Sequence, residues 1–270
     1  MKHSEPSIQT QFVQFSQKHL PKNLSRYLKF PLFAIILSKL LCIKEIIEME
    51  QKFRDLSNFE LANAIMDYTG ISVSCENPEK IPPQGRLLIV ANHPLAGADW
   101  LVILRCLSSI RKDVKVVINK DANTLIVNMR DLFIPVDSYA KFNDPAKKQI
   151  GECLDRGEAV IIFPSGGISI MTLNGVKDRK WKNGVVFFSK EHHADVLPIY
   201  IHGRFRLLFY FLPIKLRRLL IVRNLLHPSN RHVHIVIGDR IPYGEWLEEG
   251  DFSAISSKFR SITYKLGKSH

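Results

Sequence analysis

Residues 88–103 read LIVANHPLAGADWLVI, a stretch in which an aliphatic run ends abruptly in polar residues. The run is what a buried strand needs, and it stops at Asn92, His93 and Pro94. An aspartate follows at position 99, after which apolar residues resume. The stretch therefore predicts a strand, a polar loop and then a helix, which is the repeating unit of α/β folds.

The chain after residue 85 repeats this alternation of strand and helix patterns. β-rich runs lie at 86–91, 114–118, 132–136, 159–163, 196–201 and 232–238. Helical patterns lie between them, at about 99–110, 144–156 and 181–192. Strands that alternate with helices predict an α/β fold with a mixed, largely parallel sheet flanked by helices. In such folds the ligand site lies beyond the carboxyl ends of the strands, where ANHPLAGAD (91–99) and FPSGG (163–167) fall.

A connector rich in Pro and Gly, ENPEKIPPQG (76–85), separates this pattern from the chain before it. We therefore expect two parts. Residues 1–75 are predicted to form an N-terminal helical, membrane-associating segment, and residues 76–270 the α/β domain.

The membrane expectation rests on the window FPLFAIILSKLLCI (30–43), which is interrupted by Lys39 and flanked by Lys29 and Lys44. It is shorter than the roughly 20 residues that a spanning helix takes. Basic residues around a short apolar helix suit an amphipathic segment lying among anionic headgroups. A buried core helix fits the window equally well. Residues 205–226, where Phe and Leu crowd together with cations, leave a similar choice between a core edge and a lipid-facing surface.

The 270 residues carry a formal net charge of +12. This charge points to an anionic partner, namely nucleic acid, an anionic membrane or a phosphorylated substrate, although a solvated basic surface explains it too. Because the basic residues are interleaved with aliphatic runs and form no recognised motif, we expect no nucleic-acid partner.

Nothing in the cysteine and histidine spacing predicts a metal site. The four cysteines form no Cys-x-x-Cys pair, and the pairs His192–His193 and His232–His234 lack a carboxylate or cysteine cluster. The first fifteen residues lack the continuous apolar region of a secretory signal, which predicts a cytoplasmic location.

His93 and Asp99 are the candidate catalytic pair. On an ideal helix they would lie about 240° apart around the axis, so they cannot meet as a helical pair. Pro94 and Gly97 are predicted to bend the chain so that the Asp99 carboxylate accepts a hydrogen bond from one imidazole nitrogen, leaving the other as a base. A capped turn with Asp99 as the N-cap of the next helix is an equally good alternative.

Ser165 is the nearest candidate for a nucleophile that would complete a triad. A nucleophile elbow needs Gly two residues before and two after the serine, and the chain has Phe163 and Gly167 there, so half of the signature fails. Without a protein nucleophile, the His-Asp pair would have to activate a substrate hydroxyl. The Gly-rich turn offers backbone N–H groups that can cradle an anion or an oxyanion.

Four stretches together resemble a known family. In chain order they are NHPLAGAD, FIPVD, VIIFPSGGIS and VLPIYI, and they are similar to the four blocks of the glycerolipid (lysophospholipid) acyltransferase superfamily. The closer resemblance is to the branch labelled hemolysin, which includes acyltransferases that complete ornithine- and glycine-containing aminolipids. That branch has the longer His-x5-Asp spacing, WKNG (181–184) and a tail like LRRLLIVRNLL (216–226). The resemblance covers about 85–240.

The resemblance implies the roles of the site residues. His93 would be the general base, with Asp99 as the partner that orients it. The residues implied in substrate binding are Asn92, Lys120, Ser165, Gly166 and Gly167. No metal or cofactor is implied, and the acyl donor would be a thioester of acyl carrier protein or coenzyme A. Family members act at membranes, so the resemblance also implies a peripheral position on the cytoplasmic side of the cell membrane, with the lipid surface and acyl carrier protein as partners.

The chain departs from the family pattern at charged positions. Ser138 follows Asp137 where the family has Arg, and Ser165 and Ile168 stand where it has Glu and Arg. Losing two arginines removes bidentate phosphate recognition. We therefore expect the acceptor to be a lyso-aminolipid of the N-acyl ornithine or glycine type. The alternatives are a 1-acylglycerol-3-phosphate acyltransferase and a non-enzymatic, membrane-lytic protein.

Overall fold

The computed structural model describes residues 31–120, 127–136, 144–228, 232–246 and 250–268. The strands are β1 (Ser72–Glu76), β2 (Leu87–Ala91), β3 (Val114–Asn119), β4 (Phe133–Val136), β5 (Ala159–Ile162), β6 (Ile170–Thr172), β7 (Gly175–Lys177), β8 (Asp195–Ile201) and β9 (His232–Ile237). The helices are α1 (Pro31–Leu40), α2 (Ile43–Lys52), α3 (Asn58–Thr69), α4 (Gly97–Leu107), α5 (Asp144–Asp155), α6 (Gly184–His192), α7 (Leu207–Phe211), α8 (Ile214–Leu226) and α9 (Phe252–Leu266). Short 3-10 helices cover Pro78–Lys80, Val127–Leu132 and Tyr243–Trp246.

Seven of these strands form one sheet in the order β1-β9-β8-β2-β5-β3-β4. Neighbouring strands are parallel except β8 and β9, which are antiparallel. The predicted mixed, largely parallel sheet is thus confirmed. β6 and β7 pair as a separate antiparallel hairpin that follows the Gly-rich turn.

Strand β2, which precedes the His93 loop, lies between β5 and β8, and its five residues are all buried. Its side chains alternate between two cores. Leu87, Ile89 and Ala91 pack in the core shared with α3 and α4. Leu88 and Val90 pack in the core shared with α5, α6 and α9. Burial on both faces explains why this strand is continuously aliphatic.

The sheet and its core begin before residue 76, where the domain boundary was predicted. β1 pairs in parallel with β9, and α3 contributes Phe59, Ile65 and Met66 to the core. The sequence SVSCE of β1 has no aliphatic run, because an edge strand is paired on only one side and its side chains are half-buried or exposed.

The predicted apolar window 30–43 forms α1 and the start of α2, with residue 30 outside the described range. The helices are separated by a turn at Leu41 and Cys42, where Cys42 has a positive φ of 55°. Four apolar side chains of α1 are exposed, with exposed fractions of 71% for Leu32, 53% for Ile35, 57% for Ile36 and 38% for Leu40. None of the helices in the described ranges combines the length and apolar character needed to cross a membrane.

Residues 205–226 contain α7 and α8, which lie beyond the carboxyl end of β2. Phe205, Phe209 and Tyr210 form a small apolar cluster with Ala96 of the His93 loop. Met171 and Val176 of the β6–β7 hairpin pack against the same cluster. This apolar cluster therefore packs against the loop that carries the candidate catalytic pair.

Candidate active site

The structure brings His93 and Asp99 into direct contact. His93 Nδ1 lies 2.6 Å from Asp99 Oδ2. Asp99 is in the first turn of α4, and it also accepts hydrogen bonds from the Leu95 backbone N–H at 3.0 Å and 2.9 Å to its two oxygens. The predicted contact between the pair is confirmed, and the same carboxylate fastens the turn before the helix.

The bend that allows this contact lies at Ala96, and not at Gly97 as predicted. Ala96 has φ 50° and ψ −108°, a conformation that non-glycine residues rarely adopt. Burial against Phe205 and its neighbours holds it there. Gly97 has a different function, because a Cβ at this position would lie 3.3 Å from Ile221 Cγ2 of α8. The glycine lets α8 approach closely.

Burial dominates the electrostatics of the pair. Asp99 is completely buried, and loss of water raises the pKa of its carboxyl group to about 6. Hydrogen bonds and charge from His93, together with the Leu95 N–H, act in the opposite direction, while the charge of Asp178 adds to the rise. The ionised carboxylate can accept the Nδ1–H of His93, and Nε2 is then the nitrogen that can take a proton from a ligand.

The Gly-rich turn lies next to His93, because β5 is the parallel neighbour of β2. The imidazole stacks on the Phe163 ring with centroids 4.3 Å apart. Beyond the turn, the Ser169 N–H donates to the His93 carbonyl oxygen at 2.9 Å. Within it, the Gly166 N–H donates to the Phe163 carbonyl, and Gly166 has φ 65°. The predicted turn, with Gly166 and Gly167, is thus held at both ends against the His93 loop.

Two predicted binding residues make contacts within the protein. The buried Asn92 amide donates to the Ile201 carbonyl at 2.9 Å and accepts from the Ile201 N–H at 2.7 Å. The Ser165 hydroxyl donates to the Gly167 carbonyl at 2.7 Å. Asn92 thus joins the end of β2 to the end of β8, and Ser165 shapes the turn. Their roles toward substrate stay predictions.

Lys120 follows β3 directly and is exposed at the same edge of the sheet as His93. Its predicted role in binding also stays a prediction. Asp137 and Ser138, the end of the second sequence block, lie outside the described residues.

Two residues for which the sequence predicted no role, Asp178 and Lys182 of the WKNG motif, lie at the site. The Asp178 carboxylate accepts from the backbone N–H of His93 at 3.1 Å. Lys182 lies over the Gly-rich turn, since a Cβ at Gly166 would be 2.8 Å from its Nζ. Both follow the β6–β7 hairpin in the run VKDRKWKNG (176–184), whose density of charge was the available signal.

Within the described ranges, one group brings three metal-type ligands together: Cys42, Glu45 and His227. It lies where the α1–α2 corner meets the end of α8. Arg223 donates to the Cys42 sulfur at 3.6 Å, and burial raises the pKa of that thiol. A neighbouring guanidinium and a protonated thiol both disfavour a cation.

The sequence of the chain is similar to those of known acyltransferases. The sequence profile of a family described as Acyltransferase matches residues 18–266. A relative from Bacteroides thetaiotaomicron, a lyso-glycine lipid O-acyltransferase, is 25% identical over 261 residues, which is 92% of this chain and 92% of the relative. A second protein of that name, from Phocaeicola vulgatus, is 24% identical over 217 residues, or 77% of each chain.

Among solved structures, the chain is similar to the 1-acyl-sn-glycerophosphate (LPA) acyltransferase PlsC from Thermotoga maritima. The TM-score is 0.50 at 14% identity, and the match covers 97% of this chain and 94% of the other. At this identity the likeness concerns the fold.

Proposed function

The chain belongs to this acyltransferase family, as its four sequence blocks predicted, and from that premise we propose that it transfers a fatty acyl group from a thioester to the hydroxyl of a lyso-lipid. The observation that carries the proposal is the 2.6 Å contact between His93 Nδ1 and the buried Asp99 carboxylate. This contact fixes one imidazole tautomer and leaves Nε2 as the base.

The proposed reaction is a direct transfer from the thioester to the acceptor. His93 Nε2 takes the proton of the acceptor hydroxyl while the hydroxyl oxygen attacks the thioester carbonyl carbon. The tetrahedral intermediate collapses, the C–S bond breaks, and the thiolate of acyl carrier protein or coenzyme A leaves and takes the proton from the imidazolium. Asp99 stabilises the imidazolium while it exists, as a triad carboxylate does.

No acyl-enzyme is needed in this scheme. Ser165, the serine next to the site, donates its hydroxyl to the Gly167 carbonyl and is therefore not aligned on His93. The acceptor hydroxyl takes the position that a nucleophilic serine would have in a triad.

The acceptor that we propose is a lyso-aminolipid of the N-acyl glycine or ornithine type. Both relatives described above carry the name lyso-glycine lipid O-acyltransferase. Ile168, which stands where the family has an arginine, packs against the apolar cluster beside the site. The Lys182 ammonium, which lies over Gly166, offers one point charge, and this suits a carboxylate better than bidentate binding of a phosphate.

The protein works, in this proposal, as a peripheral protein on the cytoplasmic face of the cell membrane. The exposed apolar side chains of α1 and the net charge of +12 both suit an anionic lipid surface. We propose acyl carrier protein as the partner that carries the acyl thioester to the enzyme.

An acceptor panel tests the proposal. Purified protein would be given an acyl carrier protein or coenzyme A thioester with 3-hydroxyacyl glycine, 3-hydroxyacyl ornithine or lysophosphatidic acid, and O-acylated products measured by mass spectrometry. We expect at least one lyso-aminolipid to be turned over about tenfold faster than lysophosphatidic acid. Lys182→Gln should raise the KM for the glycine acceptor. Strong turnover of lysophosphatidic acid alone would refute the acceptor assignment.

His93→Ala is the companion variant. It should lower turnover at least about a thousandfold, since base and tautomer are both lost. His193→Ala, an exposed histidine in the turn after α6, is the matched control and should keep full activity. Leakage of dye-loaded vesicles that is undiminished in His93→Ala, with no acyl transfer by the unaltered protein, would favour the membrane-lytic alternative.

A further inference from the structure

Asp178 is a buried carboxylate directly after β7, and its side chain holds three other segments. Its Oδ1 accepts from the His93 N–H at 3.1 Å and from the Ser169 hydroxyl at 2.5 Å. Its Oδ2 accepts from Trp181 Nε1 at 2.9 Å. The side chain therefore joins the His93 loop, the end of the Gly-rich turn and the start of the WKNG segment.

The backbone of Asp178 is held as firmly as its side chain. Its N–H donates to the Tyr264 hydroxyl oxygen at 2.6 Å, and its carbonyl accepts from Arg260 Nη2 at 2.8 Å. Both partners are on α9, which packs on the opposite core from α4. Helix α9 thus positions the Asp178 carboxylate, and the carboxylate positions the backbone N–H of His93.

We propose that Asp178 is a positioning residue for the catalytic base: it fixes the His93 backbone against the Gly-rich turn and presents a second negative charge to the His93–Asp99 pair. The proposal rests on the role of His93 given above, and it adds a residue outside the four sequence blocks. A hydrogen bond to the His93 backbone places the imidazole before substrate arrives, and small displacements of such a group are costly to the rate.

The charge on Asp178 separates this role from simple loop fastening. Burying a carboxylate is expensive, and the contacts to the His93 N–H and the Ser169 hydroxyl need only one acceptor oxygen, which an amide would also supply. A negative charge near the pair favours the protonated imidazole that forms during acyl transfer. The charged and titratable groups that face Asp178 are Asp99, Arg260, Tyr200 and Tyr264. Burial, together with the nearby negative charge of Asp178, raises the pKa of both tyrosine phenols.

The test compares three variants by kcat, KM and the pH dependence of kcat. Asp178→Asn removes the charge and also the hydrogen bond from Trp181 Nε1, because an amide has one acceptor oxygen. Trp181→Phe removes that same hydrogen bond and keeps the charge, and Ser169→Ala removes the other side-chain hydrogen bond and keeps the charge. For Asp178→Asn we expect kcat to fall about 10- to 100-fold with KM within about twofold. The acid limb of its pH profile should move to lower pH, because the pair binds its proton less tightly without the neighbouring charge. The other two variants should leave the acid limb in place.

Two results would overturn the inference: Asp178→Asn with unchanged kcat and acid limb, or the same shift of the acid limb in all three variants. If Asp178→Asn does not fold, Tyr264→Phe keeps the charge and releases the Asp178 backbone, so kcat should fall while the acid limb stays. Unchanged kcat in Tyr264→Phe would then contradict positioning. An NMR titration of the His93–Asp99 pair measures the effect of the Asp178 charge without any substrate. It therefore distinguishes failure of this inference from failure of the proposed reaction.

Discussion

Asp99 is a fully buried ionisable side chain, and the cost of burying it is offset only in part by its hydrogen bonds to His93 and to the Leu95 N–H. The pKa of its carboxyl group rises from an ordinary 3.8 to about 6. Because the folded protein then binds this proton more tightly than the unfolded chain, the group stabilises the fold below about pH 4. That contribution is lost as the pH rises through about 6. At neutral pH the ionised form of Asp99, which the proposed mechanism requires, is therefore the less stable one.

Asp99→Asn should consequently separate activity from stability. The amide can still accept from the Leu95 N–H, but it donates to His93 Nδ1, which moves the ring proton to Nε2 and removes the base. We expect acyl transfer to fall by about three to four orders of magnitude. The melting temperature at pH 7 should hold or rise, because the buried charge is gone.

Asp67→Asn serves as the control, since the exposed Asp67 side chain accepts a hydrogen bond from Arg105 on the surface of α3. It should leave both activity and the pH dependence of unfolding unchanged. Thermal unfolding between pH 4 and 7 should show a smaller gain in stability on acidification for Asp99→Asn than for the unaltered chain. Retained activity in Asp99→Asn would contradict the mechanism.

At this scale the sequence predicted the contact of His93 and Asp99 but not how the chain makes it. Glycine is the usual residue at a positive φ, so Gly97 was the natural choice for the bend. The strain lies at Ala96 because Phe205 and Tyr210, over a hundred positions later in the chain, bury it. Asp178 was missed for a related reason, since its partners lie on separate segments and leave no periodic pattern.

Helix α1 presents apolar side chains to solvent over most of its described surface, and this exposure is its chief property as an element. Its end is fastened to α8, because Arg223 donates to the Lys39 carbonyl at 3.3 Å. Lys39 itself is exposed beside the apolar residues. An apolar surface with a cation at its rim suits the headgroup region of a membrane.

Replacing Leu32, Ile35 and Ile36 together by serine should weaken co-sedimentation with anionic vesicles about tenfold or more, because each side chain loses its burial in lipid. Phe187→Ser is the matched control, since Phe187 is an exposed apolar residue on α6. The control should bind vesicles like the unaltered protein. Equal binding by the triple variant would remove α1 as the contact.

Elements with a strong periodic pattern were predicted, and elements without one were not. All six predicted runs became strands of the sheet, because burial on two faces requires long aliphatic runs. β6 and β7 have three residues each, too few to reveal a period. For α1 the sequence predicted a helix but left open whether it is buried or exposed, since exposure depends on what packs against it.

In the whole molecule, α8 connects the N-terminal helices to the His93 loop. Arg223 holds the α1–α2 corner, and Ile221, two residues earlier, rests against Gly97 at the start of α4. Two further exposed apolar side chains lie next to the apolar cluster at the site: Leu173 at the tip of the β6–β7 hairpin and Phe211 at the end of α7. A lipid surface at this edge of the sheet would meet all of them.

Leu173→Asp and Phe211→Asp should therefore lower turnover of acceptors presented in anionic vesicles about tenfold, because a charge at the lipid boundary is unfavourable. Turnover of a short-chain, water-soluble acceptor should be unchanged, since neither side chain belongs to the catalytic pair. Phe187→Asp is the control for adding a charge elsewhere. Equal losses with both kinds of acceptor would indicate damage to the site, and no loss with vesicles would refute the orientation.

Strand β2 lies in the interior of the sheet, between β5 and β8. The strand that carries the His93 loop has hydrogen-bonded neighbours on both sides and no exposed edge at which it could fray. Opening it locally would break pairing with β5 and β8 at once, so we expect the strand that supports the His93 loop to open only with the whole sheet. The β6–β7 hairpin, which has three paired positions and lies outside this sheet, can open at the cost of far fewer hydrogen bonds.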